Sequence, residues 1–185
     1  MKLKLLIGIG CLMACMICPA AFAQEAPTAE VFGGFATARL SDGGGGMSGW
    51  GASVAFNLND KFAVKLDTNG LYAGVEGCND CSAQMYNILG GVQYNLLRQD
   101  NFTVFVEGLA GLNNSRVNLK VPGLLDVSGS HNGLGLAFGG GVDWKFSDNF
   151  TWRVAQLGYL GTRHEGEMGN AFRFQTGILI PLGKK

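Results

Sequence analysis

The stretch Leu134–Val154 reads LGLAFGGGVDWKFSDNFTWRV and turns back on itself around Ser147-Asp148-Asn149. With those three residues as the turn, Phe146 faces Phe150, Trp144 faces Trp152, Asp143 faces Arg153 and Val142 faces Val154. Aromatic and aliphatic pairs then share one face, and a carboxylate and a guanidinium share the other. Cross-strand side-chain pairs are the unit of sheet stabilisation, and period-two alternation marks a strand with two unlike faces. The stretch is predicted to be a hairpin with one greasy face, aromatic at the turn, and one small, polar face.

The same alternation recurs along the chain. It predicts strands at Val31–Leu40, Trp50–Leu58, Phe62 onward, Tyr86–Leu96, Phe102–Leu112, the opening hairpin, and Phe172–Leu182. Short turns fall at Asn59-Asp60-Lys61, Leu97–Asn101 and Ser147–Asn149; longer connections fall at Ser41–Gly49, Gly74–Ala83, Asn114–Asn132 and Thr162–Asn170. A turn of odd length keeps facing positions at the same parity, so the apolar face stays on even numbers from the second strand to the eighth. Beyond Leu157 the alternation slips, which predicts a bulge near Gln156. Eight strands of about 9–11 residues, joined by alternating long and short connections, suffice for the smallest transmembrane barrels. The expected fold is all-β, an eight-stranded antiparallel up-and-down transmembrane β-barrel.

The N-terminus is predicted to be removed. Lys2 and Lys4 precede an apolar run from Leu5 to Pro19, and Ala21-Phe22-Ala23 supplies the small residues of a signal-peptide cleavage site. The expected organisation is a signal peptide over 1–23 and one barrel domain over 24–185. A lipoprotein signal at Leu12-Met13-Ala14-Cys15 is the rival reading, although it would strand the Ala-Phe-Ala site. The chain carries 14 basic and 14 acidic side chains. Losing Lys2 and Lys4 leaves the mature part slightly acidic, without the basic patch of a nucleic-acid binder. Three of the five cysteines lie in the leader. The remaining pair, Cys78-Asn79-Asp80-Cys81, is expected to form a local disulfide in an exported protein. A zinc site would need a second such pair.

A secreted soluble barrel such as a lipocalin has a similar strand count and length, so the polar face has to decide. In a soluble barrel that face meets water and carries many charges. Here it is mostly Gly, Ala, Ser, Thr and Asn, with isolated charges at Lys65, Asp67, Glu107, Asp143, Lys145, Arg153 and Arg173. Small residues and a few complementary charges suit a narrow, filled lumen. An aromatic girdle of Phe62, Tyr94, Trp144, Phe146, Phe150 and Trp152 is expected beside the short turns, with Trp50, Tyr86 and Phe172 toward the other end. Two aromatic belts around an aliphatic band match a bilayer-facing surface.

With these strands, the GGGVDWKFSDNFTWRV hairpin and the final FRFQTGILIPLG strand, the chain resembles the small bacterial outer-membrane β-barrel proteins of the OmpA-transmembrane and OmpX type, from about Glu30 to Gly183. It departs from them in closing on Leu182-Gly183-Lys184-Lys185 where the family often ends on an aromatic residue. The resemblance implies an integral outer-membrane protein, embedded in outer-membrane lipid and inserted by the outer-membrane assembly machinery. A monomer is expected, with no cofactor, no metal and no nucleic acid.

Lys65, Asp67, Glu107, Asp143, Arg153 and Arg173 are expected to form lumen ion pairs that satisfy one another. The alternative use of such charges is a narrow porin-like channel, yet an eight-stranded barrel has room inside only for side chains. His131 with Ser128 or Ser130 offers a distant likeness to a lipid A-modifying barrel enzyme, but triads are recognised by geometry. His164-Glu165-Gly166-Glu167 lacks the helical frame of a zinc site. No catalytic residue is therefore assigned. The connection Asn114–Asn132 still alternates at Val117–Val121, turns at Pro122-Gly123 and returns at Leu124–Val127. It is the candidate for contact with a surface partner. The expected role is non-enzymatic, structural or in surface interaction.

Overall fold

The computed structural model describes residues 27–41, 45–74, 81–121, 125–164 and 167–183; for 119–121, 125–128, 163–164 and 167–168 only the backbone is described. The leader with its cleavage site, Cys78, Glu165 and Gly166 lie outside the described residues. Eight strands follow in chain order: β1 Ala29–Leu40, β2 Gly46–Asn57, β3 Phe62–Gly74, β4 Ser82–Arg98, β5 Phe102–Val121, β6 Leu125–Lys145, β7 Thr151–His164 and β8 Glu167–Leu182. Each pairs antiparallel with its neighbours in sequence, and β1 pairs with β8 to close the barrel.

Alternation sends every second side chain inward. On β3, Ala63, Lys65, Asp67, Asn69 and Leu71 are buried, while Phe62, Val64 and Leu66 are exposed. Asn59 sets the first short turn, because its Oδ1 accepts from the backbone N–H groups of Lys61 at 2.9 Å and Phe62 at 2.8 Å. Such a side chain imitates a backbone turn at little conformational cost.

The opening hairpin keeps its register through Lys145↔Thr151, Trp144↔Trp152 and Asp143↔Arg153. It then departs from it: Val142 pairs with Ala155, not Val154. The β7–β8 ladder jumps at the same place, from Arg153 to Gln156. One extra residue in β7 reverses the inside–outside parity beyond it. Gln156 and Leu160 are therefore buried, and Leu157 and Tyr159 exposed.

Several expected connections are strands. Gly46–Gly49 belong to β2 and pair with β1 from Arg39 to Ala36; Thr37 Oγ1 donates to the Met47 carbonyl at 2.8 Å. Leu97 and Arg98 belong to β4, where a shift between Asn95 and Leu97 absorbs one residue. Most of Asn114–Asn132 is ladder, running unbroken from Asn114↔Asn132 to Val121↔Leu125. Likewise β7 and β8 pair up to His164↔Glu167. At Gly46–Gly49 and at the paired ends of β7 and β8 the polarity ceases to alternate while the backbone continues to pair, whereas the alternation expected at Val117–Val121 lies within the β5–β6 ladder.

Closure depends on glycine at one registered pair, Gly34↔Gly177. A Cβ on Gly34 would collide with the Thr176 carbonyl oxygen, and one on Gly177 with that of Gly33. Gly33, facing outward, has no atom within 4 Å of an added Cβ. Gly34→Ala or Gly177→Ala is therefore expected to cost about 1–3 kcal/mol by overpacking, while Gly33→Ala is tolerated. Denaturant unfolding of the folded, heat-modifiable form checks this; equal losses at Gly33 and Gly34 would contradict the seam.

Candidate functional site in the barrel lumen

Inward positions of five strands bring the six expected lumen charges together. Lys65 Nζ lies 2.7 Å from Glu107 Oε2 and 3.9 Å from Asp67 Oδ2. Arg173 Nη1 donates to Asp67 Oδ1 at 2.6 Å, and its Nη2 sits 3.7 Å from Glu107 Oε1. Arg153 grips Asp143 with two parallel bonds, Nε to Oδ1 at 2.7 Å and Nη2 to Oδ2 at 2.9 Å. Planar two-point contacts of this kind are the strong form of an ion pair. Lys65 is only 2% exposed and Arg153 1%. Three cations meet three anions, so the cluster is neutral, as the desolvation cost of buried charge requires.

Several members of the network escaped the sequence reading. Gln156 donates Nε2 to Glu107 Oε1 at 2.6 Å and accepts from Arg153 Nη1 at 2.9 Å, joining the two clusters. Strict alternation places it outside; the bulge turns it in. The Arg153 guanidinium lies over the rings of Phe32 and Phe105, 4.9 and 4.6 Å from their centroids, and Lys65 Nζ is 5.4 Å from Phe105. Lower down, Glu30 Oε1 is 3.4 Å from Arg98 Nη2. Lys145 is half-buried and pairs with Asp148 at 3.0 Å in the turn.

Nearer the hairpin end the lumen changes character. Asn113 Nδ2 donates to Asn87 Oδ1 at 2.8 Å, and Asn87 Nδ2 to Asn69 Oδ1 at 2.8 Å. Around this amide row, Met47, Leu71, Met85, Leu89, Leu109 and Leu160 pack into a buried apolar cluster. At the short-turn end a cavity of about 510 Å³ opens, bordered by Glu30, Arg98, Asp143 and Lys145.

The outer wall is the converse. Phe62, Trp144, Phe146, Phe150 and Trp152 are exposed beside the short turns, and Tyr94 is half-buried there. Phe62 packs on Tyr94 at 4.8 Å between ring centroids, Trp144 on Trp152 at 6.3 Å and Phe146 on Phe150 at 6.4 Å. At the other end, Trp50, Tyr72 and Tyr86 join through Trp50 Nε1 to Tyr72 Oη at 3.4 Å and a Tyr72–Tyr86 hydroxyl contact at 3.1 Å. Exposed Leu66, Ile88, Val92, Leu112 and Leu136 fill the band between.

Residues 9–176 match the family described as outer membrane protein beta-barrel domain. The chain belongs to that family. Comparison with curated proteins finds no match. Among solved structures the chain is similar to Ail, the attachment invasion locus protein of Yersinia pestis, in complex with the heparin analogue sucrose octasulfate. The identity is 17%, covering 84% of this chain and 99% of that one, with a TM-score of 0.61. It is also similar to Neisserial surface protein A, with 17% identity, 86% and 100% coverage and a TM-score of 0.58. The outer membrane protein OprG from Pseudomonas aeruginosa follows at 13% identity, 85% and 97% coverage and a TM-score of 0.55. At these identities the likeness is one of fold. As a member of this family the protein is an integral outer-membrane barrel, which makes the short turns periplasmic and the long hairpins extracellular.

The remaining candidates separate. Ser130 and His131 are adjacent on β6, and successive side chains of a strand point to opposite faces. That is the wrong geometry for a nucleophile and its base. The side chains of Ser128 and His164 lie outside the described residues, as does Glu165. Cys81 is disulfide-bonded; its expected partner, Cys78, also lies outside them.

Removing one partner of a buried pair strands the other charge, at about 3–5 kcal/mol. Arg153→Gln and Asp143→Asn are each expected to destabilise the barrel by that order. The double variant should lose less than the two added together, which a double-mutant cycle by denaturant unfolding measures. Strict additivity would show the two groups uncoupled. On the outer wall, Val106→Arg should cost about 2–4 kcal/mol where the bilayer is deepest; no loss for the barrel folded in lipid vesicles would place Val106 away from the hydrocarbon.

Proposed function

We propose that this protein is a non-enzymatic surface barrel whose interacting part is the β5–β6 hairpin. One observation carries the reading. Among the described residues the β6–β7 ladder ends at Leu134↔Arg163, yet β6 stays paired with β5 to Val121↔Leu125. Residues Leu125–Gly133 thus carry the β5–β6 pair past the last described β6–β7 rung, above the barrel wall. Unpaired edges are templates for a partner's extended segment. Proteins usually blunt such edges with proline, bulges or lysines; Leu125–Gly133 contains no proline or lysine, and its register with β5 is unbroken.

The lumen supports a barrel that does not transport. Its six charges are ion-paired among themselves, which suits a filling role. Insertion by the outer-membrane assembly machinery through the β8 end, cleavage behind Ala23, a monomeric state and a Cys78–Cys81 staple on the β3–β4 connection complete the proposal. The structure of Ail with a heparin analogue makes a sulfated glycan the first probe, and the exposed Arg116 on β5 suits an anionic one.

The test compares cells displaying the full chain with cells displaying a variant in which residues 117–129 are replaced by a two-residue turn. Heat modifiability shows that both barrels fold. Retention on immobilised heparin is expected for the full chain and lost in the short one. Equal retention of the two would remove the hairpin from the function. A change in lipid A mass on expression would overturn the non-enzymatic reading.

A further inference from the structure

On three strands the charged inward residues lie on the periplasmic side of an apolar one. On β3 the order from the periplasmic turn is Lys65, Asp67, Asn69, Leu71; on β5 Glu107 precedes Leu109; on β7 Arg153 and Gln156 precede Leu160. The charged half opens on the 510 Å³ cavity, which reaches the buried Glu30 and Asp143. In the other half Met47, Leu71 and Met85 are buried, and Leu40, Ala73 and Ala83 pack over the cluster.

Between the halves, polar atoms lack protein partners. Gln175 is 0% exposed and neither atom of its amide is hydrogen-bonded. Asn69 Nδ2, Asp67 Oδ2 and Arg173 Nη2 are likewise buried without a hydrogen bond, the last two holding only ion-pair contacts of 3.9 and 3.7 Å. These atoms are neighbours. Gly51 is registered with Asn69 and lies under the Gln175 amide, 2.8 Å from Nε2 to a Cβ placed there, while Arg173 and Asp67 are bonded to each other. Three donors and two acceptors make a balanced set. A bare cation would leave the donors unsatisfied and an anion the acceptors; water serves both. Toward the mouth, Gln93 Oε1 and Arg98 Nε continue the series, and Arg98 borders the cavity itself.

We propose that the lumen is a blind well, filled with ordered water from the periplasmic mouth up to Gln175 and Asn69, and sealed on the extracellular side by the dry layer of Met47, Leu71, Met85 and Leu160. Buried water typically occupies sites offering it two to four polar partners, whereas apolar voids stay dry. Above Asn69 the polar row that crosses the apolar layer among the described residues is bonded internally, because Asn113 donates to Asn87, Asn87 donates to Asn69, and Ser115 Oγ caps Asn113 Oδ1 at 3.0 Å. A hydrophobic constriction stops ions by dewetting. The barrier to conduction is therefore the apolar seal and not the ion-pair network. This holds whether or not the β5–β6 hairpin binds a partner.

Planar-bilayer conductance of two folded variants tests the assignment. Leu71→Ser with Met85→Ser opens the seal and leaves the charges in place. Lys65→Met with Glu107→Leu removes a central pair and leaves the seal intact. Heat modifiability is checked for both. The seal variant is expected to conduct and the network variant to stay as silent as the unmodified protein. Conductance through the network variant, or silence of a folded seal variant, overturns the proposal. Water-edited solid-state NMR of the unmodified protein in lipid gives a second reading that depends on no substitution. Magnetisation from water should reach the Gln175 and Asn69 side-chain amides and miss the Leu71 and Met85 methyl groups; wet methyl groups or dry amides would refute the well.

Discussion

A strand in hydrocarbon has no water to bond, so each of its N–H and C=O groups must find a partner within the protein. The β1–β8 ladder meets that demand at the one place where chain neighbours do not. It runs from Ala29↔Leu182 to Leu40↔Ala171, the full length of β1. At Gly34↔Gly177 the backbones approach so closely that no Cβ fits. The turns and bulges are subordinate to this closure. They adjust register locally so that the last strand arrives beside the first in position to pair.

Closing the wall makes an interior, and the interior sets its own terms. Charges there need partners within reach, and the bulge at Val154 supplies one. Without the extra residue Gln156 would face lipid, and Glu107 Oε1 would lose the amide that bonds it at 2.6 Å. The same bulge turns Leu160 inward and Leu157 outward, so one backbone irregularity serves the charged half, the apolar half and the lipid face together. The many large apolar side chains left exposed would be an aggregation hazard in water. They are the contact surface in a bilayer.

Much of this was legible in the sequence because side-chain alternation and lipid exposure are coupled. Where a strand crosses the membrane, outward residues must be apolar and inward ones small or paired, so Trp50–Leu58 and Phe102–Leu112 declare themselves. The pairs Trp144↔Trp152 and Asp143↔Arg153 follow from one short turn. What remained hidden depends on the third dimension. Glu107 and Gln156 sit on β5 and β7 and meet only because the wall curves. The apolar layer of Leu71, Met85 and Leu160 was hidden for the same reason: each is a single inward residue on its own strand, and only closure makes them neighbours.

The misread connections follow from the same coupling. Above the bilayer, side chains on both faces of a hairpin meet water, and the selection that produces alternation weakens, although Val117–Val121 keeps it. Backbone pairing does not weaken with it, because ladder hydrogen bonds depend little on the polarity of the side chains. Asn114 and Asn132 illustrate the point. They are polar, they face each other across β5 and β6, and their amides bond at 2.6 Å. A composition that reads as loop is there a strand pair without a membrane around it. Periodicity therefore reports where the bilayer ends more faithfully than where the sheet ends. The distance between those two limits is the length of hairpin that the barrel holds out into the surroundings of the cell.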